Sequence, residues 1–130
     1  MVKDKISGLL CIAHDARRNN IYSAVYRNNN GFKMVTPYSL SGIDDLLSNI
    51  KKINKKSLPV YFYGDIVLSY KDKIRNFLPD YKIIPDHNSM LRSKAMISLV
   101  ENNRVKKSNP FKVLPFYMYP RDCQVNKQTK

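Results

Sequence analysis

The sequence is poor in the residues on which several common chemistries depend. It has two cysteines, Cys11 and Cys123, and two histidines, His14 and His87. Neither cysteine has a second Cys or a His at metal-ligand spacing, which argues against a zinc site. Its four glycines are too scattered for a P-loop, a dinucleotide fingerprint or a nucleophile elbow. No apolar run approaches the ~20 residues that cross a bilayer, so no membrane span is expected. The opening MVKDKISGLL has neither a sustained apolar stretch nor a small-residue cleavage site, and no signal peptide is expected. A reduced, cytoplasmic setting follows as the expectation, with Cys11 as a small buried hydrophobe.

Acidic residues are also scarce. Ten of them face 23 basic ones, a formal net charge of +13 over 130 residues. A field of that sign favours polyanions such as RNA. Sixteen of the basic residues are lysine, and asparagine is abundant. Codon bias toward A and T explains the same composition, so charge alone leaves both readings open.

With 43% hydrophobic and 25% charged residues, a single globular domain is expected. There is no internal repeat. The apolar run LLCIA (9–13) predicts a strand covered on both faces. IYSAVY (21–26) predicts a second, NNNG (28–31) a turn, and FKMVT (32–36) a third strand stopped by Pro37. Ile43, Leu46, Leu47, Ile50 and Ile53 then recur at helical spacing, with Ser41 and Asp44 as a capping-box variant. Lys51, Lys52, Lys55 and Lys56 crowd that helix's carboxyl end, where lysine is ordinary helix chemistry at least as often as an RNA patch.

VYFY (60–63) predicts a fourth strand. Residues 66–78 become helical in their second half, with Ile74, Phe77 and Leu78 on one side, and YKII (81–84) predicts a fifth strand. Ser89 is placed to cap a last helix carrying Leu91, Ala95, Met96, Leu99 and Val100. The tail VLPFYMYP predicts an extended segment. The order β-β-β-α-β-α-β-α predicts an α/β fold with a five-stranded mixed sheet, of the ribonuclease-H-like kind found in lobes of actin-like ATPases. The predicted lobe spans 1–109, with 110–130 as a tail packed on it.

A ribonuclease-H-like nuclease needs three or four carboxylates converging on metal. The candidates are Asp15, Asp44, Asp45, Asp65 and Asp86. Residues 9–13 hold no carboxylate and Asp15 is expected in the connection after the first strand, which weakens this reading. Asp44 suits a helix amino terminus, while Gly64-Asp65 and Pro85-Asp86 suit turns. His87 beside Asp86 and Ser89 suggests a triad on paper, but neighbours on one loop rarely reach triad geometry. Tyr22, Tyr26, Tyr61 and Tyr63 alternate on strands as stacking platforms do. No RNP-like motif accompanies them, and a core role with the hydroxyls at the rim is expected.

Four segments carry a resemblance to a known family. They are Asp15-Ala16-Arg17-Arg18-Asn19 with Ile21-Tyr22, Tyr63-Gly64-Asp65, Ser89-Met90 with Ala95, and Leu114-Pro115-Phe116-Tyr117-Met118. In this order and spacing the chain resembles the second lobe of the TsaB (YeaZ) family, the accessory subunit of tRNA threonylcarbamoyladenosine biosynthesis, long labelled glycoprotease-like. The family's tail often continues with Arg; here that position is Tyr119, and Arg121 follows later. The family's first lobe, with its Asp-Thr-Ser segment, has no counterpart in this sequence, as in a split or truncated relative or a fragment.

The resemblance implies an accessory protein, not an enzyme, with no catalytic, cofactor or metal residues. It implies that TsaD and TsaE are the partners of the full-length family, and tRNA the shared substrate. Because the TsaD interface is built mainly from the first lobe, weak TsaD binding is implied, and the face that meets that lobe is left to pair with a second copy. Arg17 and Arg18 are the expected tRNA contacts. Asp15, Ala16, Tyr22, Gly64, Asp65, Pro115 and Tyr117 are the expected structural markers. The alternatives are a small metal-dependent nuclease and a stand-alone basic RNA-binding module.

Overall fold

A computed structural model of the protein describes residues 6–85, 90–102 and 108–119. The chain forms two units, Met1–Asp86 and His87–Lys130, each described by itself.

The first unit is an α/β structure built on a five-stranded mixed sheet. Its strands are β1 (Gly8–Asp15), β2 (Ile21–Asn28), β3 (Phe32–Ser41), β4 (Val60–Tyr63) and β5 (Lys82–Ile83), in the spatial order β3-β2-β1-β4-β5. The first three form an antiparallel meander; β4 runs parallel to β1 and β5 parallel to β4. The helices are α1 (Ile43–Ile53), α2 (Ile66–Ser69) and α3 (Lys71–Phe77).

The core lies on one face of the sheet. Leu9, Cys11 and Ala13 of β1, Ile21 and Val25 of β2, and Val60 and Phe62 of β4 pack with Ile43, Leu46, Leu47 and Ile50 of α1 and with Ile66, Val67 and Ile74. The 3.6-residue spacing seen in the sequence is the buried stripe of α1. Burial pushes the Cys11 thiol up to about 12. A thiolate is the reactive form, so a Cys123→Ser variant should resist alkylation at pH 8 while folded and label fully in denaturant. Mass spectrometry of the quenched reaction checks this.

The register sets which residues share the opposite face. Leu10, Ile12 and His14 pair with Tyr26, Ala24 and Tyr22, while Leu10 and Ile12 pair on the other side with Tyr61 and Tyr63. The four tyrosines therefore lie together, half-buried, across the sheet from α1. The expectation of core tyrosines is corrected accordingly: with a side-chain period of two, Phe62 points into the core and its neighbours point away.

Three other expectations are corrected. Strand β3 runs through Pro37 to Ser41 because it is an edge strand, where a missing N–H can face outward. The register shifts around Val25, and the Thr36 hydroxyl accepts the Val25 N–H at 3.0 Å in place of a ladder bond. Because β3 continues, Ser41 pairs with Ile21 instead of capping α1. The cap residue is Gly42, with no side-chain bond, and the Ser41 hydroxyl is buried without a partner among the described residues. The helix expected in the second half of 66–78 is α3; the structure adds α2 ahead of it, the two meeting at Tyr70, whose φ of −114° and ψ of 19° break the helical path. The fifth strand, expected over 81–84, shortens to two residues, although the Ile84 N–H still donates to the Phe62 carbonyl at 2.8 Å.

In the second unit, α4 (Met90–Glu101) is the expected last helix. Met96, Ile97 and Val100 on it are exposed. A 3-10 turn at Pro110–Lys112 follows, its first N–H, that of Phe111, donating to the Asn109 side-chain oxygen at 3.0 Å. Residues 113–118 have no helix or strand, as Pro115 requires. Ser89, Asp86, His87, Arg121 and Cys123 lie outside the described residues.

Candidate functional site

Strands β1 and β4 are parallel neighbours, and ligand sites in sheets of this kind gather beyond the strands' carboxyl ends. At that end stand His14 and Asp15 of β1 and the Tyr63-Gly64-Asp65 turn after β4. Register places Tyr63 beside Ile12. Strand β1 thus runs three residues beyond its last β4 partner, and its exposed amides need acceptors. Asp65 supplies one: its Oδ1 accepts the Asp15 N–H at 2.8 Å. Two segments 50 residues apart in the chain are joined by that bond.

Gly64 makes the approach feasible. Its φ is +132°, and a Cβ there would sit 1.8 Å from the Ala13 carbonyl oxygen. Glycine is the residue that tolerates both conditions. His14 completes the junction. Its Nδ1 is 3.4 Å from Asp65 Oδ1, and its ring meets Tyr63 edge-on at 6.3 Å.

The hairpin between β1 and β2 carries the arginines. Asp15 Oδ1 accepts the Arg17 N–H at 2.8 Å, the local side-chain turn expected of an Asp in this position. The Ala16 N–H donates to the Asn20 carbonyl at 2.9 Å and the Asn20 N–H to the Arg17 carbonyl at 3.0 Å. Arg17, Arg18 and Asn19 all have positive φ (66°, 52° and 59°). Left-handed backbone at three successive non-glycine residues costs free energy, and the Asp15 and Asn20 bonds offset it. Ala16 is buried and roots the loop, while Arg17 and Arg18 are exposed. Arg17 Nη1 is 4.0 Å from Asp15 Oδ2 with both side chains largely in water, so this pair adds little.

One sequence expectation is corrected here. Asp15 is the last residue of β1, paired with Ile21, and not part of the connection. Backbone pairing continues past the apolar run because it depends on peptide groups, not on side-chain polarity. Its carboxylate nevertheless serves the hairpin, as expected. Of the other carboxylates, Asp44 pairs with Lys73 at 2.8 Å and Asp45 is an exposed residue of α1. Among the described residues no group of three or more His, Cys, Asp or Glu side chains is placed to hold a metal. Asp15, Arg17, Asp65, Ser69 and Tyr70 line a shallow open depression of about 520 Å³. No protein-family model and no curated protein matches the chain.

The arrangement is a junction that fixes a cationic hairpin to the end of a rigid sheet. Sequence reasoning found Asp15, Arg17, Arg18 and Asp65 but missed His14 as the residue beside Asp65. Only the parallel register of β1 and β4 brings those two together. Pro115 and the exposed Tyr117 lie in the extended part of the second unit.

Asp65→Ala should cost about 1 kcal/mol, less than the 1.5–3 typical of a bond to a charged acceptor because this one is solvated. Urea melts check the magnitude. Amide exchange at Asp15 should quicken with it, and an unchanged Asp15 exchange rate would break the assignment.

Proposed function

We propose that the chain is a non-catalytic scaffold lobe of the TsaB type, with a ribonuclease-H-like, actin-like lobe architecture, which supports tRNA N6-threonylcarbamoyladenosine modification together with TsaD and TsaE. The observation that carries the reading is the bond from the Asp15 N–H to Asp65 Oδ1. It unites the Asp-Ala-Arg and Tyr-Gly-Asp segments, two stretches by which the sequence resembles that family. The strand order β3-β2-β1-β4-β5, a meander continued by parallel strands, supports the same reading. So do the two exposed arginines on a braced hairpin, since guanidinium groups suit phosphate. In this reading Arg17 and Arg18 touch the tRNA backbone and the protein performs no bond-making step. A cytoplasmic location goes with that role.

The test is reconstitution. The chain is mixed with TsaD, TsaE, a separately supplied TsaB first lobe, tRNA, threonine, bicarbonate and ATP, and nucleosides are counted by mass spectrometry. Modification should rise when the chain is added and fall with Arg17→Ala/Arg18→Ala. A yield indifferent to the chain would contradict the proposal. Cleavage of the tRNA on adding Mg²⁺ would favour a metal-dependent nuclease in its place.

A further inference from the structure

A second cationic surface lies at the other end of the parallel strands. Lys51, Asn54, Pro59, Tyr81 and Lys82 line an open depression of about 440 Å³ at the amino-terminal end of β4. Strand β4, about 10 Å long at the usual rise per residue, separates it from the Asp15 hairpin. Lys52, Lys55 and Lys56 follow Lys51 at the end of α1 and are exposed.

The turn that carries these lysines is fixed. The Asn54 N–H donates to the Ile50 carbonyl at 3.0 Å, closing α1. The Asn54 side chain then grips both backbone groups of Leu58: its Nδ2 donates to the Leu58 carbonyl at 2.8 Å and its Oδ1 accepts the Leu58 N–H at 2.9 Å. Ser57 takes a φ of +49° to close the loop. Lys55 and Lys56 are thus held out on a braced turn. Lys51 and Lys82 are steadied on aromatic faces, Lys51 over Phe77 at 5.6 Å and Lys82 over Tyr61 at 5.4 Å.

Ordinary pairing does not account for the cluster. Among the described residues, none of these five lysines has a carboxylate in ion-pair range, whereas Lys73 of α3 is paired with Asp44. Among the described residues, Asp80 is the one carboxylate lining the depression. Complementing the dipole at the end of α1 needs one or two lysines in its last turn; Lys55 and Lys56 lie beyond the helix.

We propose that Lys51, Lys52, Lys55, Lys56 and Lys82 form a docking surface for the phosphate backbone of RNA, separate from the Asp15 hairpin. The proposal stands on this geometry and does not rest on the scaffold reading. Lysine acts as a point charge without bidentate geometry, so the surface binds backbone and reads no sequence. A membrane fits less well. The apolar stripe of α1, Ile43, Leu46, Leu47 and Ile50, is buried in the core, which leaves nothing to insert beneath the lysines.

The test compares two triple variants in fluorescence anisotropy with labelled tRNA over a salt series. Lys52→Gln/Lys55→Gln/Lys56→Gln removes charge from the surface. Lys33→Gln/Lys71→Gln/Lys94→Gln removes the same net charge elsewhere, all from exposed positions. The first should weaken binding at least about tenfold at low salt and lower the salt slope by ~2, since each phosphate contact contributes ~0.7 on a single strand and ~0.9 on a duplex. The second should weaken it less than about threefold, the loss expected from long-range field alone. Matching circular dichroism melts confirm folding. Equal losses in the two variants would overturn the proposal, as would wild-type affinity in the first. Absence of RNA binding with capture of phosphatidylserine vesicles would also overturn it. Competition by duplex DNA with the same variant dependence supports a phosphate-backbone surface and assigns it to polynucleotides in general.

Discussion

Gly64→Ala is expected to lower the stability of the sheet unit by about 4 kcal/mol, the sum of a strained backbone (about 1–3) and overpacking (about 1–3). The new Cβ would meet the Ala13 carbonyl at 1.8 Å and its carbon at 2.7 Å. Both are backbone atoms of the central strand, so no side-chain rotation relieves the clash. Relief requires β4 to move away from β1, which also pulls Asp65 from the Asp15 amide. Gly31→Ala is the control: its φ is +156° and nothing lies within 4 Å of the added methyl. It pays only the backbone term, about 1 kcal/mol. Urea melts followed by circular dichroism should separate the two variants clearly. Equal midpoints would mean that β4 does not approach β1 as closely as described.

Phe62→Ala should cost about 3–5 kcal/mol, as large core truncations do. Phe62 is fully buried at the centre of the core and meets the Tyr81 ring edge-on at 5.9 Å. For a domain whose total stability is typically 5–15 kcal/mol, the loss is a large share. Tyr61→Ala and Tyr63→Ala, on the other face, should each cost about 1 kcal/mol, within the ordinary range for less buried positions. Equilibrium unfolding of the three variants checks the face assignment. Similar losses at 61 and 62 would mean the register of β4 is wrong.

Local pattern encodes the elements whose spacing burial enforces. Strands β1, β2 and β4 and helix α1 are legible because their apolar spacing is enforced by burial. Pro37 and Ser41 misled for one reason: each has a strong local preference that tertiary position overrode. Pro37 sits on an edge, where its missing N–H costs little, and Ser41 is held in the ladder opposite Ile21. Tyr70 breaks a helix without a proline or glycine to announce it. At the candidate site, Asp15 was legible as a turn residue because its bond to Arg17 is local. The bond to Asp65 was not, since it depends on which strands become parallel neighbours. The four tyrosines were legible as alternating, but not the face they take. That is decided by which face of the sheet α1 covers.

The central claim is that the Asp15–Asp65 junction braces a cationic hairpin, each carboxylate being engaged by a backbone N–H. The most direct measurement is a titration of ¹⁵N-labelled protein with Mn²⁺, whose paramagnetism erases amide signals near a bound ion. The account predicts weak, scattered broadening, as expected for a cation repelled by a strongly basic protein. Selective, saturable loss of the signals of residues 14–17 and 64–66 would contradict it.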